Sequence, residues 1–156
     1  MSAEGTPVFT FEWDLSKGTL SSIVRHVGLL VFGTFYEYCT DGIVITKLLP
    51  GCLPLAPQGG IPLNEFGVEL GRTTKTEEEF NDWVSSQSSN SYTAANYNAA
   101  FNNCILFAKR ACVFLNIQTP VRWAAAIGVL AGFYFVSVPV AAIFGGGSTS
   151  KSAKKS

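Results

Sequence analysis

Apolar and polar positions alternate at the start of the chain. Phe9, Phe11 and Trp13 are separated by Thr10 and Glu12, which is the period of a half-buried strand. Asp14-Leu15-Ser16-Lys17-Gly18 has the composition of a turn. Residues 24–32 are rich in β-branched and apolar types and predict a second strand, with His26 near its start. Gly33-Thr34 turns the chain into a short strand over residues 35–38. Asp41-Gly42 is a hairpin signal leading into Ile43-Val44-Ile45. Consecutive strands joined by short turns indicate an antiparallel sheet. Residues 50–64 contain four prolines and three glycines and predict a loop longer than most connections in compact domains. A further strand is expected over residues 66–70.

Helical signals follow. Thr76-Glu77-Glu78-Glu79 fits a capping box and opens a helix through about Ser85. Its acidic run suits the positive end of a helix dipole. Residues 85–91 read as a polar linker, and residues 92–101 lead into a second helix. Asn103 is a favoured N-cap, since its side-chain oxygen accepts from a free backbone N–H. Cys104 is then the first helical residue, and the helix should end before Pro120. Residues 123–144 carry no charge and are long enough to cross a hydrocarbon core, which needs roughly 20 residues. Arg122 flanks this stretch, Trp123 suits a membrane interface, and Gly145-Gly146-Gly147 and three lysines follow it. The competing reading is a core helix of the same domain. The expected organisation is one domain over residues 1–120, a membrane-spanning helix over 121–144 and a basic tail over 145–156.

Charge refines this picture. The formal net charge is zero, but all 11 acidic residues precede residue 120, where there are 7 basic ones, giving 7 − 11 = −4 for the body. An acidic body argues against a nucleic-acid surface. Cys39, Cys52, Cys104 and Cys112 form no C-x-x-C pair, and with His26 as the sole histidine a metal centre has little support. No cofactor is expected. The opening residues lack the pattern of a secretory signal, so the body is expected in the cytosol with free thiols, held at a membrane by the C-terminal helix.

The chemistry rests on His26 and Cys104. The positive end of a helix dipole favours a thiolate, and a thiolate nucleophile works beside an imidazole that takes and returns the proton. Cys112 lies two turns further along the same helix and reads as core. Cys39 and Cys52 lie near turns with no second histidine to activate them. The backbone N–H of Cys104 is the expected oxyanion donor. Asn98 and Asn103 are side-chain candidates for the same task, with turn and cap roles the competing readings. No acid near His26 in sequence is an obvious orienting partner, so the expected unit is a dyad.

These residues resemble the PPPDE peptidases, the desumoylating isopeptidase-like family, over roughly residues 8–120. Trp13-Asp14-Leu15-Ser16-Lys17-Gly18 is similar to the end of the family's first strand. His26-Val27-Gly28-Leu29-Leu30-Val31-Phe32-Gly33 resembles its histidine strand. Tyr36, Tyr38 and Asp41-Gly42-Ile43 continue that pattern, and Glu69-Leu70-Gly71-Arg72-Thr73 is similar to its Leu-Gly-x-Thr before a helix. Tyr97-Asn98, Asn103-Cys104 and Phe107 resemble its nucleophile motif, with Thr119-Pro120 following. The resemblance implies a permuted papain-like α+β fold, with an antiparallel sheet packed on helices. It implies a His26–Cys104 dyad that hydrolyses isopeptide or peptide bonds of conjugates of SUMO, ubiquitin or a similar modifier. A thioesterase removing palmitate at a membrane is the alternative, and a catalytically inactive membrane adaptor another. The chain departs from the family at Phe35, where Glu is common, at Cys39, where Gly is common, and at Ile105, where Asn is usual. The segment between Gly18 and His26 is also shorter, and the hydrophobic tail lies outside the common core.

Overall fold

The computed structural model describes residues 4–20 and 24–144, with side chains through Gly132. Six strands and three helices follow in order: β1 (Thr6–Asp14), β2 (Arg25–Val31), β3 (Thr34–Cys39), β4 (Gly42–Lys47), β5 (Ile61–Pro62), β6 (Val68–Thr73), α1 (Glu77–Ser89), α2 (Cys104–Phe114) and α3 (Val121–Phe144). The class is α+β, as expected. The strands form one antiparallel sheet in the order β4-β3-β2-β1-β5, and β6 also pairs with β1. β5 and β6 share the same edge of β1, β5 at Trp13 and Asp14 and β6 from Thr6 to Thr10. A shift in register between Val8 and Phe9 marks a bulge there.

Alternation assigns the two faces. Val8, Val27, Leu29, Val31, Tyr36 and Tyr38 turn one way and form the main core with Phe80 and Val84 of α1 and with Phe107, Ala108, Ala111 and Cys112 of α2. α2 lies across β2 and β3. Two tyrosines carry their hydroxyls to partners at the edge of this layer. Tyr36 Oη donates to Asn81 Oδ1 at 2.8 Å, and Tyr38 Oη donates to the Thr93 carbonyl at 2.8 Å. The opposite face holds a smaller cluster of Phe11, Trp13 and Phe35. It is organised around Gly28, since a Cβ there would lie 2.1 Å from the Phe35 ring. Gly28 therefore lets that ring lie across the sheet between strands.

Several local expectations shift. The β2–β3 turn falls on Phe32 and Gly33, both at positive φ (54° and 68°), one residue earlier than Gly33-Thr34. Paired positive φ values are those of the hairpin turn whose twist suits the flanking strands. The capping box at Thr76 is present, with both reciprocal bonds. The residues expected as a linker after Ser85 continue the helix to Ser89. Ser86 and Ser89 point their hydroxyls back to the carbonyls of Trp83 and Ser85, which suits a polar helix end. The proline-rich loop contributes β5 to the sheet.

The packed domain does not stop at residue 120. Trp123 and Ala126 at the start of α3 are fully buried in the main core. Trp123 Nε1 donates to Glu12 Oε1 at 2.9 Å, and Arg122 donates to the same carboxylate through Nε and Nη2. Trp123 is thus a core residue and unavailable to a membrane interface, and Arg122 is engaged with the body. Among the described residues no helix is long and apolar enough to cross a membrane. The far half of the expected span has its side chains outside the described residues, and the basic tail lies wholly outside them. Trp123→Ala is expected to remove about 3–5 kcal/mol of stability, the range for a large core aromatic. Chemical denaturation of the full chain measures this, and a loss within error of zero would detach α3 from the core.

Candidate active site

The nucleophile is placed by a helix cap. Asn103 has extended backbone angles (φ −125°, ψ −177°), and its Oδ1 accepts from Ile105 N at 3.0 Å and Leu106 N at 3.1 Å. The Cys104 N–H stays outside that cap, at the first turn of α2. Asn103 Nδ2 donates to the Ala99 carbonyl at 2.8 Å. Asn98 Oδ1 accepts from Ala100 N and Phe101 N, and Asn98 and Asn102 exchange two backbone bonds of 2.9 Å. Both asparagines therefore build the turn and the cap in front of Cys104. The Asn103 amide is thereby committed to the Ala99 carbonyl.

The sheet brings His26 to this helix end. Cys104 Sγ lies 3.6 Å from the carbonyl oxygen of Arg25, 79 positions away in sequence, which puts the thiol beside the residue next in the chain, His26. Trp13, the cross-strand partner of His26, stacks on the imidazole with ring centroids 5.8 Å apart and planes 28° apart. On the other side Nε2 donates to Glu37 Oε2 at 2.6 Å. Glu37 sits opposite Gly28 in the β2–β3 register, so it reaches His26 along the diagonal of the sheet. With Nε2 held by a carboxylate, Nδ1 is the nitrogen left to exchange a proton with the thiol.

Glu37 is a residue that sequence reasoning missed, and the expected dyad gains a carboxylate. Its signal was hidden in the register. A turn on Gly33-Thr34 would pair Glu37 with Leu30 and carry it beyond reach. Only the turn on Phe32-Gly33 sets Glu37 opposite Gly28, and Phe is not a residue that announces positive φ.

Electrostatics follow from this geometry. Burial alone would push the imidazole of His26 down, but hydrogen bonds with Cys104 and Glu37 and their negative charges outweigh it and raise it to about 9. The imidazole is therefore held protonated at neutral pH, and a neighbouring cation is what a thiolate needs. Tyr97 faces the same place. Burial, with added repulsion from Cys104, Cys39 and Tyr38, pushes its hydroxyl up to about 12, so it remains a neutral phenol. Cys112 is buried in the core and its thiol is likewise pushed up to about 12, which makes it inert. Cys39 is half-buried and raised by burial, and Cys52 is exposed. All four cysteines are free. Among the described residues no three potential metal ligands converge.

A cleft of about 100 Å³ opens beside Cys104, lined mostly by apolar side chains including Leu15, Val24, Ile105 and Leu130, with Tyr97. A larger surface hollow near Trp83 and Phe114 lacks any nucleophile. The chain matches no protein-family model and no curated protein.

The raised His26 value has a sign that can be tested. A histidine that gains protons on folding stabilises the fold fully below its ordinary value of 6.5, and that contribution is lost as pH rises through about 9. Wild-type stability is expected to fall across that window relative to His26→Gln. In Glu37→Gln, which removes the carboxylate charge, the fall is smaller and is complete at lower pH. Denaturation midpoints at a series of pH values test both, and parallel curves for wild type and His26→Gln would contradict them.

Proposed function

We propose that this chain is a cysteine hydrolase with a permuted papain-like fold, related to the PPPDE peptidases. Its reaction is hydrolysis of isopeptide or peptide bonds, with conjugates of ubiquitin-like modifiers such as SUMO or ubiquitin as the substrate class. The observation that carries the reading is the approach of Cys104 Sγ, at the start of α2, to the Arg25 carbonyl beside His26, with Glu37 on Nε2 of the imidazole.

The residues suit the following course. Cys104 gives its proton to His26, and Sγ attacks the substrate carbonyl. The tetrahedral oxyanion is met by the Cys104 N–H at the helix N-terminus. His26 passes its proton to the departing amine, and the C–N bond breaks to leave a thioester on Sγ. His26 then takes a proton from water as the water attacks that thioester. The C–S bond breaks, the free acid departs and the thiol is restored. Throughout, Glu37 holds the ring in place and stabilises its cationic form. Trp13 covers one face of the ring and limits water there.

An acyl thioesterase working at a membrane is the second reading. It is favoured by the apolar lining of the cleft and by the uncharged run over residues 123–144. In both readings the domain works in the cytoplasm, with α3 continuing toward a membrane.

Cys104→Ala is expected to lose all turnover of modifier conjugates and acyl thioesters while keeping the wild-type fold. His26→Ala is expected to lose at least about 100-fold, the lower end of what general acid–base catalysis supplies. It should also slow alkylation of Cys104 at neutral pH. Full turnover by Cys104→Ala would sink the hydrolase reading. Alkylation indifferent to His26 would leave the inactive adaptor as the better account.

A further inference from the structure

The cleft at Cys104 draws one of its walls from an unexpected part of the chain. Leu15 and Val24 come from the ends of the β1–β2 connection and Ile105 from α2, but Leu130 belongs to α3. The helix is held in that position. Arg122 and Trp123 grip the buried carboxylate of Glu12, and Ala126 is buried against the domain. Trp123, Ala126, Ile127 and Leu130 are spaced three, four and seven apart, so they lie on one face of the helix. Leu130 stands about 10 Å further along the axis than Trp123 at the usual 1.5 Å per residue. The clamp at Glu12 therefore fixes how far Leu130 stands from the thiol. The uniformly apolar sequence concealed this stripe, because it has no polar face to contrast with.

We propose that α3 is a structural wall of the substrate cleft and that Leu130 limits the girth of the acyl group presented to Cys104. This rests on the reading of Cys104 as the nucleophile. The cleft, at about 100 Å³, is smaller than the roughly 150 Å³ engineered cavities that take benzene, so it favours a slender group at the thiol over an aromatic ring. Its lining is mostly apolar, and the Arg25 guanidinium beside it is already paired with Glu12, so it favours an uncharged group. The acyl group it fits is slender and uncharged, with no bulky substituent next to the carbonyl. A glycine-terminated peptide tail and an unbranched fatty acyl chain share that chemistry.

Site-resolved alkylation of Cys104 in the full chain tests the wall without a known substrate. The reagents are iodoacetamide as the slender probe and N-phenylmaleimide as the bulky one, followed by mass spectrometry of the Cys104 peptide. Leu130→Ala is expected to raise the N-phenylmaleimide rate at least threefold while leaving the iodoacetamide rate within twofold. Leu130→Trp is expected to lower the N-phenylmaleimide rate by a similar factor. Val129→Ala, a change at the exposed neighbouring position, should alter neither rate. Unchanged selectivity in both Leu130 variants, in chains with wild-type circular dichroism, would overturn the proposal. Two substrates then separate the sources: a glycyl-aminocoumarin peptide and a palmitoyl thioester. The one whose KM falls in Leu130→Ala, at similar kcat, identifies the acyl group. If Leu130 controls alkylation while neither substrate is turned over, the wall stands and the hydrolase reading fails.

Discussion

One buried carboxylate holds the architecture together. Glu12 is almost wholly removed from solvent near the end of β1, where an unpaired charge would be strongly destabilising. Its partners come from three directions. Arg25 of β2 donates at 3.0 Å, Arg122 and Trp123 of α3 complete the shell, and the Asn64 side chain accepts from the Glu12 backbone N–H at 3.1 Å. Burial pushes the carboxyl upward, but the bonds from Arg122, Trp123 and Arg25 overcome it and leave it below the usual range. Its stabilising contribution is therefore present above ordinary carboxylate values and is lost as pH falls through the lowered one. Two of these partners are neighbours of the site in sequence or in space. Arg25 adjoins His26 and offers its carbonyl to Cys104, while α3 carries Leu130.

The site itself is a contrast between two sheet faces. The main core fixes α2, and with it the thiol. The smaller cluster of Phe11, Trp13 and Phe35 fixes the imidazole from the other side. Phe11 and Phe35 meet edge-on at 6.1 Å and Trp13 meets Phe35 edge-on at 5.9 Å, which is a favoured aromatic geometry. Trp13 therefore presses on His26 from a braced position. Asp14 closes the same corner, with its carboxylate accepting from the backbone N–H groups of Ser16 and Gly18 and from the Ser16 hydroxyl. The aromatic-Asp-x-Ser-x-Gly run is thus a device for ending β1 beside the histidine.

Much of this was legible in the residues. The alternation at Phe9, Phe11 and Trp13, the Thr76 capping box and the Asn103 cap each depend on neighbours a few positions apart, and each was readable for that reason. His26 and Cys104 stood out because the histidine is the sole one and the cysteine heads a helix. What escaped depends on long-range geometry. Glu37 needed the register of a hairpin whose turn carries an unheralded Phe32 at positive φ. The extent of α1 needed the serine-to-backbone bonds that keep a polar tail helical. The docking of Trp123 needed a partner, Glu12, that lies 111 positions away, and an uncharged stretch gives no hint of which face will be covered.

The Glu12 clamp also sets an order of events during synthesis. Strand β1 leaves the ribosome early with a carboxylate that has no complete shell, and Arg122 and Trp123 emerge after every other described element of the domain except the rest of α3. Domains generally fold as units, so this one cannot settle its sheet around Glu12 until α3 has arrived. The nucleophile and its histidine are both synthesised before the helix that walls their cleft. A partly made chain therefore carries both residues before the core that unites them is complete, and the same late helix that completes the core brings the wall of the cleft with it.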